Sequence, residues 1–316
     1  MAALFVALEC CQRYGAVMAL KLLVWTAIIS ICAPATAQSV KKPLTLKPSS
    51  PWQVDYADDR CRLARQFGEG DGQVLALFDR YGPDEFFQLT LAGKPVKTST
   101  EKGDATVQFG LGEEDQRLSF LGGNLGKLPA LVFTGGARIA PVTPAEGSAL
   151  EKATYENWPD IAPISEARLK AVRFLKISRP LRRPVALETG PMRAPLAALD
   201  KCIDNLLTHW GIDVEKHKML MREAKPAESP DHWVVSGDYP RAMLNAGQPA
   251  IVNFRLSVGV DGVPTACHIQ STTRPKDFDN AVCKSVMRRA RFEPALDAEG
   301  KPLASYYRNT VRFQIP

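Results

Sequence analysis

Four cysteines, Cys61, Cys202, Cys267 and Cys283, lie beyond an apolar leader, and this even set constrains the fold more than any other feature of the chain. In an exported protein an even set implies disulfides, and four cysteines allow three connectivities. The leader carries the other three, Cys10, Cys11 and Cys32. Lys21 opens an apolar run from Leu22 to Ala33, followed by Pro34 and then Ala35-Thr36-Ala37, a small-x-small cleavage pattern before Gln38. The run is short for a membrane span, which takes about 20 apolar residues. Cys32 follows Ile31, not the small residue that a lipoprotein signal requires. Residues 1–37 therefore read as a cleaved signal peptide. Met18 is a conventional start for one, which makes 1–17 an upstream extension. The alternative is a retained inner-membrane anchor through residues 22–33.

Hydrophobic residues make up 45% of the chain and charged residues 23%, enough apolar material for a real core. The net charge of +6 is spread through mixed-sign stretches with no basic block interleaved with aromatics, so nucleic acid is not an expected partner.

Residues 38–51 are polar and proline-punctuated, a flexible lead-in. From 52 to 211 the pattern is that of an antiparallel β-rich domain. Its strands are expected at Gln73–Phe78, Phe86–Leu91, Ala105–Gly110, Arg117–Phe120 and Ala171–Ile177, separated by turns such as Gly70-Asp71-Gly72 and Gly122-Gly123-Asn124. A helix from Pro195 to Trp210 closes it, apolar at Leu196, Leu199, Ile203, Leu206 and Leu207 and stopped by Gly211. Residues 212–236, polar and charged, read as a linker.

Residues 237–316 give a sharper pattern. Pro240–Asn245 is a short helix with proline at its start and Gly247 beyond it. Val252, Phe254, Leu256, Val258 and Val260 alternate with polar residues in a half-buried strand, and Asp261-Gly262 signals a hairpin. The return strand places Val263, Thr265, Cys267 and Ile269 on one face. Asp277 caps a helix with Phe278, Val282, Val286 and Ala290 in one stripe. A last strand puts Tyr307, Val311, Phe313 and Ile315 inside and Arg308, Thr310 and Arg312 outside. The fold class is α+β, with an α-β-β-α-β order at the end. Cys267 on the second strand faces the helix that carries Cys283, which pairs them and leaves Cys61 to pair with Cys202; the alternative is free buried thiols. Closing 17 residues contributes about 3 kcal/mol, and a loop of over 100 residues roughly 4–5 kcal/mol.

No catalytic constellation is present. His209, His217, His232 and His268 have solvated or capping positions, and the chain has no phosphate loop, nucleophile elbow or zinc-protease helix. No cysteine sits in a zinc-ligand spacing, so neither metal nor cofactor is expected. The chain reads as a binding protein and not an enzyme.

The carboxy-terminal segment resembles the C-terminal domain of the TonB family. The resemblance rests on Tyr239-Pro240 opening the domain, Ile251–Thr265, Ala281–Ala295 with Arg289-x-Arg291-Phe292-Glu293-Pro294, and the closing Val311–Ile315. It implies a periplasmic protein whose final strand, Ser305, Tyr306, Tyr307, Arg308, Asn309, Thr310, Val311, Arg312 and Phe313, takes an added β-strand. The implied partner is an outer-membrane TonB-dependent receptor or another periplasmic protein, in support of transmembrane transport; a homodimer through the same strand, or a scaffolding role at the cell wall, is the alternative use. Arg255, Arg308 and Arg312 form a basic outward face, expected to be solvated. Family transducers keep an amino-terminal membrane helix and a long proline-rich spacer. This chain has neither feature in its expected mature form, and Ser236-Gly237-Asp238 stands where the family has Gln-Pro. The resemblance therefore implies peptide binding and not direct force transduction.

Overall fold

Alternation of apolar and polar residues shapes strands such as 102–109, where Ala105, Val107 and Phe109 are buried and Thr106 and Gln108 only partly, whereas the strand over 74–80 is buried on both faces from Ala76 onward. The computed structural model describes residues 41–315 apart from 135, 144–145, 148–160 and 274; the expected signal peptide lies outside the described residues. The elements are β1 (Leu44–Leu46), β2 (Gln53–Tyr56), β3 (Cys61–Phe67), β4 (Val74–Arg80), β5 (Gln88–Ala92), β6 (Lys102–Phe109), β7 (Gln116–Leu125), β8 (Leu128–Phe133), α1 (Glu166–Ala171), β9 (Leu175–Ile177), β10 (Val185–Leu187) and α2 (Arg193–His209). After these come α3 (Val214–Lys218), β11 (Lys225–Pro226), α4 (Arg241–Asn245), β12 (Ala250–Val258), β13 (Pro264–Thr272), α5 (Lys276–Arg289), β14 (Phe292–Glu293), β15 (Ala295–Leu296), β16 (Pro302–Leu303) and β17 (Ser305–Phe313). The whole is α+β.

Ten strands form one sheet in the order β1-β10-β9-β6-β7-β8-β5-β4-β3-β2. All its pairs are antiparallel except β1 with β10, which departs from the wholly antiparallel expectation. The sheet curls back on itself. The Ser49 N–H donates to the Gln66 carbonyl at 2.9 Å and the Gly68 N–H to the Lys47 carbonyl at 2.8 Å, so the chain after β1 bonds to β3. The segment expected as a flexible lead-in is thus partly a strand of this sheet. The strand expected over 171–177 is shorter, because Ser165 caps α1 through the Arg168 N–H and α1 runs to Ala171.

Helix α2 buries Leu196, Leu199, Ile203, Leu206 and Leu207 against the sheet, and Gly211 follows it with φ 78°. Pro195 sits in the first turn, where no intrahelical N–H is needed. Cys202 of α2 is bonded to Cys61 of β3, with Cα atoms 5.9 Å apart. The ion pair Arg80–Asp200 at 2.5 Å adds a second tie.

The carboxy-terminal sheet has the order β13-β12-β17. Val252, Phe254, Leu256 and Val258 of its central strand pack with Phe278, Val282 and Val286 of α5. Each large apolar side chain so buried contributes about 1.5–3 kcal/mol. The Cys267–Cys283 bond joins β13 to α5, with Cα atoms 5.6 Å apart. The return strand differs from expectation at its start. A register shift between Ser257 and Val258 pairs Val258 with Pro264, so Pro264 is buried while Val263 and Thr265 face outward; Val260, beyond β12, is exposed as well. The connection is longer than a two-residue turn, with the Gly259 N–H bonded to the Val263 carbonyl. Gly262 at φ 76° is required there: a Cβ would stand 2.0 Å from the Phe292 carbonyl oxygen, and the Phe292 N–H donates to the Gly262 carbonyl at 2.9 Å.

Residues 212–236, expected as a linker, are instead packed. β11 pairs with β14, and Trp233 is 3% exposed, edge-on to Phe292 at 5.2 Å and to Tyr307 at 5.5 Å. Arg222 donates to Glu293 at 2.8 Å and to the Pro294 carbonyl at 3.0 Å. The Arg-x-Arg-Phe-Glu-Pro stretch is thus a clamp on the segment that precedes the domain. Its first arginine, Arg289, bonds Asp238 at 2.5 Å and the Trp233 carbonyl at 2.8 Å. Those Arg289 hydrogen bonds, helped by the Val235 N–H, hold the Asp238 carboxyl down at about 2.

Two outcomes follow. By loop entropy, the Cys61→Ser/Cys202→Ser pair loses about 4–5 kcal/mol and the Cys267→Ser/Cys283→Ser pair about 3 kcal/mol; urea unfolding of the two double variants checks the ordering. The Asp238 carboxyl has a folded pKa below the ordinary aspartate value, so its contribution is complete above about pH 4 and is lost as pH falls toward 2. Asp238→Asn is expected to cost roughly 1 kcal/mol at pH 7 and to flatten the fall of the urea midpoint over that acid range.

Candidate binding edge of the carboxy-terminal sheet

Strand β17 lies at the margin of its sheet and pairs with β12 from Phe313↔Ala250 to Ser305↔Val258. The Thr310 N–H donates to its neighbour's Asn309 Oδ1 at 2.7 Å, so this group points away from β12. In an antiparallel pair successive residues alternate in direction, so the N–H and C=O groups of Tyr306, Arg308, Thr310 and Arg312 all face the open side. Those of Ser305, Tyr307, Asn309, Val311 and Phe313 face β12. The structure therefore places all nine residues of the expected site on one strand and divides them into two sets.

The side chains divide in the same rhythm. Tyr307 packs on Phe292 at 5.1 Å and Phe313 on Phe278 at 4.9 Å, on the side covered by α5. Burial pushes the Tyr307 hydroxyl up to about 12. Tyr239 closes this side: its ring stands 5.2 Å from Phe313 and its hydroxyl donates to the Gln248 carbonyl at 2.6 Å. Pro240 caps α4. The Tyr239-Pro240 pair thus anchors the opening of the domain under the strand.

The opposite face is not the solvated basic surface that the sequence suggests. Arg255 is 3% exposed, with its guanidinium 4.0 Å from the centre of the Trp210 ring and 3.7 Å from Asp59. Burial lowers its pKa, and the charge of Asp59 opposes that. Gln270 donates to the carbonyls of Asp59 and Tyr81 at 3.2 and 3.3 Å. Arg308 pairs with Asp84 over Gly82, where a Cβ would meet the guanidinium at 2.7 Å. Tyr306 lies edge-on to Trp210 at 5.4 Å and stacked on His217 at 5.2 Å. Burial raises the Tyr306 pKa and lowers that of His217, whose Nε2 is 3.1 Å from the Ser305 hydroxyl. His217, expected to be solvated, is therefore half-buried, and His268 also has its pKa lowered, by burial and then by Arg255. Arg312 is the member of the basic trio that stays exposed.

Sequence reasoning missed Trp210, Asp59 and Asp84 as supports of this strand, since all three lie outside the carboxy-terminal segment. Among the described residues no cluster of three His, Cys, Asp or Glu could hold a metal ion, and no helix is long and apolar enough to cross a membrane.

No curated protein matches the chain. Residues 236–315 match the family described as Gram-negative bacterial TonB protein C-terminal. The matched stretch takes in the Tyr239-Pro240 opening, the Arg-Phe-Glu-Pro clamp and all of β17, so this carboxy-terminal segment is a TonB-family C-terminal domain.

Proposed function

We propose that the protein is a periplasmic binding protein that supports transport across the outer membrane by taking an extended peptide from a TonB-dependent receptor as a fourth strand beside β17. The observation that carries this reading is the row of outward main-chain groups at Tyr306, Arg308, Thr310 and Arg312, on a strand that among the described residues pairs with β12 alone. Such an edge supplies main-chain hydrogen bonds to a partner strand, with side chains setting the choice of partner. The protein acts by binding and not by catalysis. The export leader expected at 1–37 supports a periplasmic location, as does the envelope setting of TonB-type domains. Docking of the back face through Arg255 and Arg308 holds the edge still, which lowers the ordering cost of binding.

Thr310→Pro removes an outward N–H and keeps the main-chain pairing to β12, at the cost of the Thr310 hydroxyl's hydrogen bond to the Asn253 side chain; proline is tolerated where a strand's N–H points away from its sheet partner. Titration with receptor amino-terminal peptides, followed by heteronuclear NMR, is expected to show shifts along β17 and an affinity about tenfold weaker in Thr310→Pro. Absence of binding at millimolar peptide would reject the receptor as partner. Self-association that is lost in the same variant would instead assign the edge to a homodimer.

A further inference from the structure

A groove of about 1290 Å³ opens far from β17, between the strands β1, β9 and β10 and the first turns of α2. Its volume exceeds the 300–1,000 Å³ or so that a drug-sized molecule occupies. Trp52, Phe174, Leu111, Pro48, Pro195 and Ala198 give it apolar walls. The indole of Trp52 is held in place, edge-on to Phe78 at 5.6 Å and bonded through Nε1 to the Thr189 carbonyl at 3.4 Å. Leu111, 91% exposed, extends one apolar wall at the mouth of the groove.

Three cations line the same groove, Arg65, Arg173 and Lys176, against one carboxylate, Glu188. Among the described residues none of the three cations has a carboxylate partner. Arg65 donates through Nε to the Ser50 carbonyl and through Nη1 to the Thr189 carbonyl, both at 2.9 Å, which leaves Nη2 without a protein acceptor. Arg173 bonds only the carbonyls of Lys170 and Val172, and Lys176 bonds the Gln108 side chain at 3.3 Å. Burial lowers the Arg65 pKa, and no acid nearby raises it again. A guanidinium partly screened from water with an N–H fork still open is a ready partner for an anion.

We propose that this groove binds an anionic amphiphile, an acyl chain bearing an acidic head group. The chain lies along the walls of Trp52, Phe174 and Leu111, and the head group meets Arg65, Arg173 and Lys176. An extended peptide fits less well, because walls of proline, alanine and aromatic side chains offer its main chain few hydrogen-bond partners. A small free anion would gain nothing from the apolar walls.

Isothermal titration of the purified protein with laurate below its micellar range tests this, with acetate and dodecyl maltoside as the anion without a chain and the chain without an anion. Laurate is expected to bind and acetate to give no heat, with dodecyl maltoside markedly weaker than laurate. Arg173→Gln/Lys176→Gln is expected to weaken laurate about tenfold while leaving dodecyl maltoside unchanged. Ala198→Phe, which narrows the groove from α2, is expected to weaken both. Equal binding of laurate and dodecyl maltoside, laurate binding indifferent to all three substitutions, or no laurate binding would overturn the proposal. Unchanged thermal melting of Arg173→Gln/Lys176→Gln would separate lost binding from lost folding. Receptor-peptide binding at β17 is read separately, so either site can fail without the other.

Discussion

A buried cation sets the relation between the two sheets. Arg255 leaves the centre of the carboxy-terminal sheet on the side away from α5 and sits over the Trp210 ring, with Asp59 within ion-pair reach and the Ser257 hydroxyl accepting from Nη1 at 3.2 Å. Its Nε has no hydrogen-bond partner, so the desolvation of this guanidinium is only partly offset by charge. The face of an indole supplies the remainder: a desolvated cation–π contact is worth about 2 kcal/mol or more. An arginine in this place stabilises the docked arrangement only if Trp210, Asp59 and the sheet arrive together. The contact therefore specifies one orientation more than it adds net stability.

The docked face determines what the final strand can do. With Tyr306 against Trp210 and His217, and Arg308 paired with Asp84, the first two side chains of the outward set are held by earlier parts of the chain, and Thr310 and Arg312 stay exposed. The remaining set is committed to α5 and the Phe292 clamp. What stays open is the main chain along the margin, with the side chains of Thr310 and Arg312 beside it. An unpaired edge is ordinarily a hazard for indiscriminate pairing, and arginines along it discourage that. Here one of those arginines is tied back and Arg312 stays exposed, so protection of the margin falls to a single charge near its end.

Most of the last 80 residues could be read from the sequence because their structure is local. Period-two alternation gives β12, the return strand β13 carries Cys267, the stripe of Phe278, Val282 and Val286 gives α5, and the packing of α5 on that hairpin brings Cys283 to Cys267. The second disulfide followed because only two cysteines were left. The short strands β1, β2 and β10 carry too few residues for periodicity to register; β2 forms on its neighbour β3, whereas β1 exists because the sheet supplies β10 from about 140 positions further along the chain. The bulge at Ser257–Val258 shifted the inward residue to Pro264, a one-residue change that no alternating pattern reveals. The 212–236 stretch misled through composition: its charges are real, but Trp233 inserts among Phe292 and Tyr307 and carries the segment into the core. Arg255 reads as solvated in any strand pattern, since the ring that covers it is 45 positions earlier in the sequence.

Helix α2 connects these features in space. Its first turns, at Pro195 and Ala198, form a wall of the groove, and Trp210 at its far end carries Arg255 and Tyr306. At 17 residues it spans about 26 Å. The Cys61–Cys202 bond and the Arg80–Asp200 pair fasten its middle to β3 and β4. A helix fixed at its centre and packed along its length behaves as a strut and not as a lever. With its middle tied at Cys202 and Asp200, α2 is a poor candidate for the two-state element that coupling between groove and edge would need. If the proposed groove and the proposed edge both bind, α2 carries them at a set separation, and any cooperation between them would act through simultaneous occupancy.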